Sequence, residues 1–151
     1  MLLEKQCATA RRGAGRAVVA MLYLDSSAIV KLVVREPETD ALVEVVRADP
    51  AVVSSALAVT EVIRAVARSG VSPSRAEAVL DGIALIPIDE GILRAAGSLA
   101  PRDLRTLDAI HLASALSFGR DLEGLVTYEQ RLAEAATGAG IDVRAPRAER
   151  S

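Results

Sequence analysis

Only one cysteine, Cys7, occurs among the 151 residues, so no disulfide framework can staple the chain, and a lone thiol suits a reducing cytoplasm. Tryptophan is missing and aromatic residues amount to 2%. The core must therefore be aliphatic, drawn from the Ala, Val, Leu and Ile that dominate a 51% apolar chain. Such a core suits parallel strands covered by helices. No apolar run approaches the roughly 20 residues of a membrane-spanning helix. Glu4 and Lys5 fall where a signal peptide needs its apolar stretch, so neither a membrane partner nor secretion is expected. A basic excess is lacking too: the formal charge of −2 removes the bulk signature of a nucleic-acid binder. Phosphate can still be gripped locally by a protein that holds a cation on clustered acids, helped by a few arginines. Arg64, Arg68, Arg102 and Arg105 lie near the acids singled out below.

At this length one domain is expected, with a substantial core. Residues 1–20 read differently from the rest: they carry Arg11, Arg12 and Arg16 with Gly13 and Gly15 and lack a helical apolar stripe. They are expected to be a disordered or non-native extension, with a nucleic-acid-gripping basic arm as the sharper alternative. The domain is expected over 21–146, with a short tail over 147–151. From Met21 onward strand and helix signals alternate. Strands are expected at 22–25, 51–54, 85–88, 124–127 and, last, 141–143. Helices are expected at 26–34, 37–48 (opened by Pro37), 56–68 (stopped by Ser69-Gly70), 72–82, 90–99, 104–118 and 129–136. Pro87 assigns its strand to a sheet edge. The pattern predicts an α/β fold, a three-layer α/β/α sandwich around a mainly parallel sheet of four or five strands.

Such sheets bind ligands at the carboxyl ends of their strands. Four acids fall at the corresponding junctions: Asp25 ending the first strand, Glu61 in the helix after the second, Asp108 near the start of its helix and Glu129 just after the fourth strand. Each also has a plainer reading. Asp25 before Ser26-Ser27 could be a helix N-cap, worth about 1 kcal/mol; Glu61 could be a solvated helix residue; Asp108 could answer a helix dipole at an N-terminus capped by Thr106. His111, in the Asp108 helix, reads as a core or supporting residue rather than a ligand. Buried unpaired carboxylates are costly. If the fold brings these acids together they must share protons, pair with bases or bind a hard divalent cation. A haloacid-dehalogenase-type phosphatase would want a second Asp where Ser27 stands, and a response-regulator receiver would want an acidic pair before the first helix; neither is present.

Taken in order, Met21-Leu-Tyr-Leu-Asp25-Ser-Ser27, Thr60-Glu61-Val62, Arg105-Thr-Leu-Asp108-Ala-Ile-His111-Leu-Ala113 and Val126-Thr127-Tyr-Glu129-Gln-Arg-Leu132 resemble the four successive signatures of PIN-domain proteins, more narrowly the VapC toxins of bacterial type II toxin–antitoxin systems. The resemblance spans residues 21 to about 146. It implies a metal-dependent endoribonuclease, with Asp25, Glu61 and Asp108 as carboxylate ligands of Mg²⁺ or Mn²⁺ and with Ser27 and Thr127 supporting them. Glu129 stands where the family usually has Asp, one methylene longer. The family also implies an RNA substrate, a homodimer, a cytoplasmic location and a cognate VapB-type antitoxin, through which alone DNA would be contacted. The alternative from another class is a PIN domain that has lost turnover and binds RNA or protein.

Overall fold

The computed structural model describes residues 19–48 and 51–149. Most of the expected extension, residues 1–18, and the last two residues of the expected tail lie outside that range. Val19 already packs against the core.

The centre of the fold is a sheet of five strands, every neighbouring pair parallel: β1 (Met21–Leu24), β2 (Val52–Ser55), β3 (Ala84–Ile86), β4 (Leu122–Val126) and β5 (Val143–Arg144), in the order β3-β2-β1-β4-β5. Parallel strands require crossovers, and helices supply all of them. Between β1 and β2 run α1 (Ser26–Val33) and α2 (Thr39–Ala48). Between β2 and β3 run α3 (Leu57–Ser69) and α4 (Pro73–Asp81), and between β3 and β4 run α5 (Glu90–Gly97) and α6 (Thr106–Leu116). A single helix, α7 (Gln130–Gly138), joins β4 to β5.

β1 is buried on both faces, and its alternation divides the core. Leu22 and Leu24 face α1, α2, α3 and α4 through Ile29, Leu42, Val62 and Leu80. Met21 and Tyr23 face α6 and α7 through Leu112, Ala115, Leu132 and Ala136. α5 leans on α6 in a small cluster of Ala96, Ala109, Ile110 and Ala113. These are the three layers expected.

Boundaries moved where local hydrogen bonding decided them. α2 starts at Thr39 rather than Pro37, because Pro37 and Glu38 form a turn: the Glu36 amide donates to Thr39 Oγ1 at 2.9 Å, and that hydroxyl donates to the Lys31 carbonyl at 2.7 Å. α6 starts at Thr106 rather than Leu104, after a turn closed by the Leu104 amide on the Pro101 carbonyl. Arg105, not Thr106, therefore occupies the N-cap. β3 is an edge strand, as Pro87 foretold, and stops one residue before it. α3 ends on Gly70 at φ 78°, a backbone that would cost an L-residue about 1–2 kcal/mol.

The chain lays β2 and β3 on one side of β1 and then returns to lay β4 and β5 on the other. The connections leaving β1 and β4 thus diverge, and a crevice opens beyond the carboxyl ends of these two strands.

Candidate active site

Asp25 stands at the end of β1, where its amide extends the ladder to the Val126 carbonyl at 3.2 Å, and it also caps α1. The N-cap reading of the sequence is therefore correct, and it does not exhaust the residue. Oδ1 accepts from the Ala28 amide at 3.1 Å and from Ser27 Oγ at 2.6 Å; Oδ2 accepts from Thr127 Oγ1 at 2.6 Å. These donors join the ends of β1 and β4. Thr127 Oγ1 accepts in turn from the Glu129 amide, and Ser27 Oγ accepts from the Tyr128 amide. Asp25 is 3% exposed. Burial raises its carboxyl above the ordinary value, and the donors of Ser27, Thr127 and Ala28 recover only part of that cost.

Glu61 projects from α3. Its Oε1 accepts from Ser26 Oγ at 2.5 Å and lies 2.6 Å from His111 Nε2. Burial pushes this carboxyl up as well, but the His111 and Ser26 hydrogen bonds outweigh it, and the result lies below the ordinary value. His111 is 2% exposed, and its Nδ1 lies 2.7 Å from the Tyr23 hydroxyl. Burial drives the Tyr23 phenol strongly upward, so it remains a proton donor. One proton assignment satisfies the chain: Tyr23 O–H donates to Nδ1, and Nε2–H donates to Glu61.

Asp108 lies in the first turn of α6 and is 8% exposed. Its Oδ2 accepts from Arg105 Nε at 3.1 Å. The same guanidinium reaches Glu129 Oε2 through Nη2 at 3.4 Å. Glu129 is the N-cap residue of α7, with its side chain half exposed.

All four acids line one groove of about 570 Å³, together with Ser26, Ser27 and His111. Arg64 and Arg68, one turn apart on α3, line it too, and neither pairs with a carboxylate among the described residues. A hollow of about 620 Å³ beside α7, lined by Leu99, Pro101, Leu104 and Ala135 but also by Asp103, Arg131 and Glu134, holds none of the four acids. Arg102 borders the α5–α6 loop rather than the groove. The sequence reading did not find Tyr23 or Ser26. A buried tyrosine needs a partner for its hydroxyl and the chain has a single histidine, which was the available signal.

The donor set suits a hard divalent cation: every acid offers oxygen, and Glu61 Oε2, Asp108 Oδ1 and Glu129 Oε1 have no partner among the described residues. Among those residues no three Asp, Glu, His or Cys side chains stand grouped as a ready-made cage. An ion would have to draw the acids inward. The groove already holds one cation between two of them, the Arg105 guanidinium.

Comparison with known proteins agrees with this architecture. The PIN domain model matches residues 22–138. Ribonuclease VapC46 of Mycobacterium tuberculosis is 50% identical over 129 residues, covering 85% of this chain and 99% of the relative. Ribonuclease VapC47 of the same species is 38% identical over 136 residues, covering 86% and 100%. In fold, the chain is similar to the crystal structure of Mycobacterium tuberculosis VapC20, described as a sarcin-ricin loop cleaving toxin, with a TM-score of 0.63 at 14% identity over 80% of this chain and 95% of that one.

Proposed function

The chain belongs to the PIN-domain family, and from that premise we propose that it is an endoribonuclease toxin of a type II toxin–antitoxin system, hydrolysing RNA phosphodiester bonds in the groove beyond β1 and β4. One observation carries the reading. Asp25, Glu61, Asp108 and Glu129, which arrive from four separate stretches of sequence, face a single groove that also presents Arg64 and Arg68, unpaired among the described residues.

Asp25, Glu61, Asp108 and, through its longer arm, Glu129 would hold Mg²⁺ or Mn²⁺. When bound, such an ion supplies a water that is nucleophilic at neutral pH and relieves charge on the phosphoryl and leaving oxygens. The protein's part is placement. Ser27 and Thr127 fix Asp25, the most deeply buried of the acids. His111 and Ser26 aim Glu61. Arg64 and Arg68 take flanking phosphates, and the free Oε1 of Glu129 orients the attacking water. Residues 21–146 form the working domain. The natural inhibitor is a VapB-type antitoxin whose tail places a cation against the same acids; the toxin acts in the cytoplasm as a homodimer and meets DNA only through that antitoxin.

The second reading, a PIN module that binds without turnover, draws on Glu129 standing in place of Asp and on the spacing of the acids. RNA cleavage by the antitoxin-free chain, with and without Mg²⁺ or Mn²⁺ and beside Asp108→Asn prepared identically, separates the two. Metal-dependent cutting by the parent alone is expected. Folded protein that cuts no RNA with either ion would leave the binding module.

A further inference from the structure

Arg105 does not cap its own helix through its side chain. It occupies the N-cap of α6 without a side-chain capping bond, and its side chain is 60% exposed, so packing does not lock it. Its guanidinium nevertheless spans two acids that lie 21 residues apart in sequence, using Nε for Asp108 Oδ2 and Nη2 for Glu129 Oε2. Asp108, 8% exposed, has this bridge as its one side-chain bond among the described residues, but the guanidinium end is open to water, and ion pairs at 3.1 and 3.4 Å with an exposed partner are weak. A bridge of that kind is easily displaced.

Resting on the ribonuclease reading above, we infer that Arg105 is a built-in competitor of the divalent cation for Asp108 and Glu129, and that its guanidinium turns to RNA when the ion arrives. Guanidinium and dication draw on the negative charge of the same two carboxylates, Asp108 and Glu129, so occupancy by one disfavours the other, and the coupling is reciprocal. Metal binding frees the guanidinium at the wall of the groove, opposite a substrate phosphate that it can grip in bidentate fashion. Arg105 therefore weakens metal binding in the empty groove and strengthens RNA binding in the loaded one. The half-exposed Glu129 serves as its second anchor.

The two effects have opposite signs, which a merely structural residue would not produce. Calorimetric titration of the full chain with Mn²⁺ alone should find Arg105→Gln binding the ion about two- to fivefold tighter than the parent, the equivalent of one exposed ion pair. Arg105→Lys, which keeps the charge, should stay near the parent. At saturating Mn²⁺ the Gln variant should show a raised KM for RNA. Parental or weaker Mn²⁺ affinity in Arg105→Gln overturns the inference while leaving the ribonuclease reading intact. Equal Mn²⁺ affinity in the parent and Asp108→Asn, or no Mn²⁺ binding by the parent, overturns the metal reading and the inference with it.

Discussion

Removing the Tyr23 hydroxyl and the His111 imidazole together should cost less than the sum of removing each alone. The two groups meet at 2.7 Å in the interior, with Tyr23 fully buried and His111 2% exposed. Tyr23→Phe leaves Nδ1 buried without a donor, at about 1–3 kcal/mol. His111→Leu keeps most of the side-chain volume, so its cavity cost is small, but it takes the His111 partner from the Tyr23 hydroxyl at up to a similar cost, with Ser54 and Ser114 left within reach of that hydroxyl. Glu61 also loses a donor in that variant, but its side chain is a quarter exposed and water can replace the bond. Ser114 Oγ, buried without a hydrogen-bond partner among the described residues and facing the same hydroxyl, can take it up after a small rotation, which sets the lower end of the range. In the double variant both orphans vanish, and an apolar pair packs where a polar one stood. The four proteins, unfolded in urea with EDTA present, should show a coupling of at least about 1 kcal/mol. Additivity within about 0.5 kcal/mol would refute the hydrogen bond as an energetic unit.

Asp25 and Thr127 give two further tests. Burial holds the folded-state Asp25 carboxyl above its ordinary 3.8, so the folded chain binds this proton more tightly than the unfolded one. The contribution to stability is present at low pH and lost as pH rises through the folded-state value. In EDTA, the stability of the parent relative to Asp25→Asn should therefore fall as pH climbs from 3.8 and then level off; a difference that rises with pH sinks the argument. Thr127→Val keeps the shape of the side chain but removes the donor to Asp25 Oδ2 and the acceptor for the Glu129 amide. It should cost about 1.5–3 kcal/mol by urea unfolding, the range for a hydrogen bond to a charged group, and a loss well under 1 kcal/mol would mean that water substitutes freely.

The sheet was legible because its strands are short aliphatic runs ending in polar residues, and a parallel sheet buried on both faces leaves that signature. The placement of Asp25 and Glu129 was legible for a related reason: each stands where an apolar strand gives way to a helix. What stayed hidden was the pairing among side chains. Tyr23 and His111 are 88 residues apart, and no local pattern tells a core tyrosine that bonds a histidine from one that merely packs. Thr106 looked like the cap of α6 because Thr is a favoured cap residue, yet after the turn at Pro101 the helix begins at Thr106 itself, one residue earlier than that role requires. Arg105 was one basic residue among several near the acids. Only the register between the starts of α6 and α7 makes it a bridge.

The four acids differ in how firmly they are held, and the order has a physical reason. Asp25 accepts three donors from α1 and the residue after β4, Glu61 contacts Ser26 and His111, Asp108 has one bond to an exposed arginine, and Glu129 shares that arginine from an exposed position. A site meant to take up a cation reversibly cannot neutralise every acid internally, because a fully satisfied cluster would leave the ion nothing to replace. Nor can it leave all of them unpaired, because like charges crowded into a buried groove would oppose folding. Fixing Asp25 and Glu61 with hydrogen-bond donors and balancing Asp108 and Glu129 with an exposed arginine meets both demands. Stability before loading then rests on Asp25 and Glu61, whereas exchange of one cation for another is confined to Asp108 and Glu129. On this account substitutions at Asp25 or Glu61 should act on folding and metal affinity together, and substitutions at Arg105 or Glu129 should act on metal affinity while leaving folding nearly unchanged.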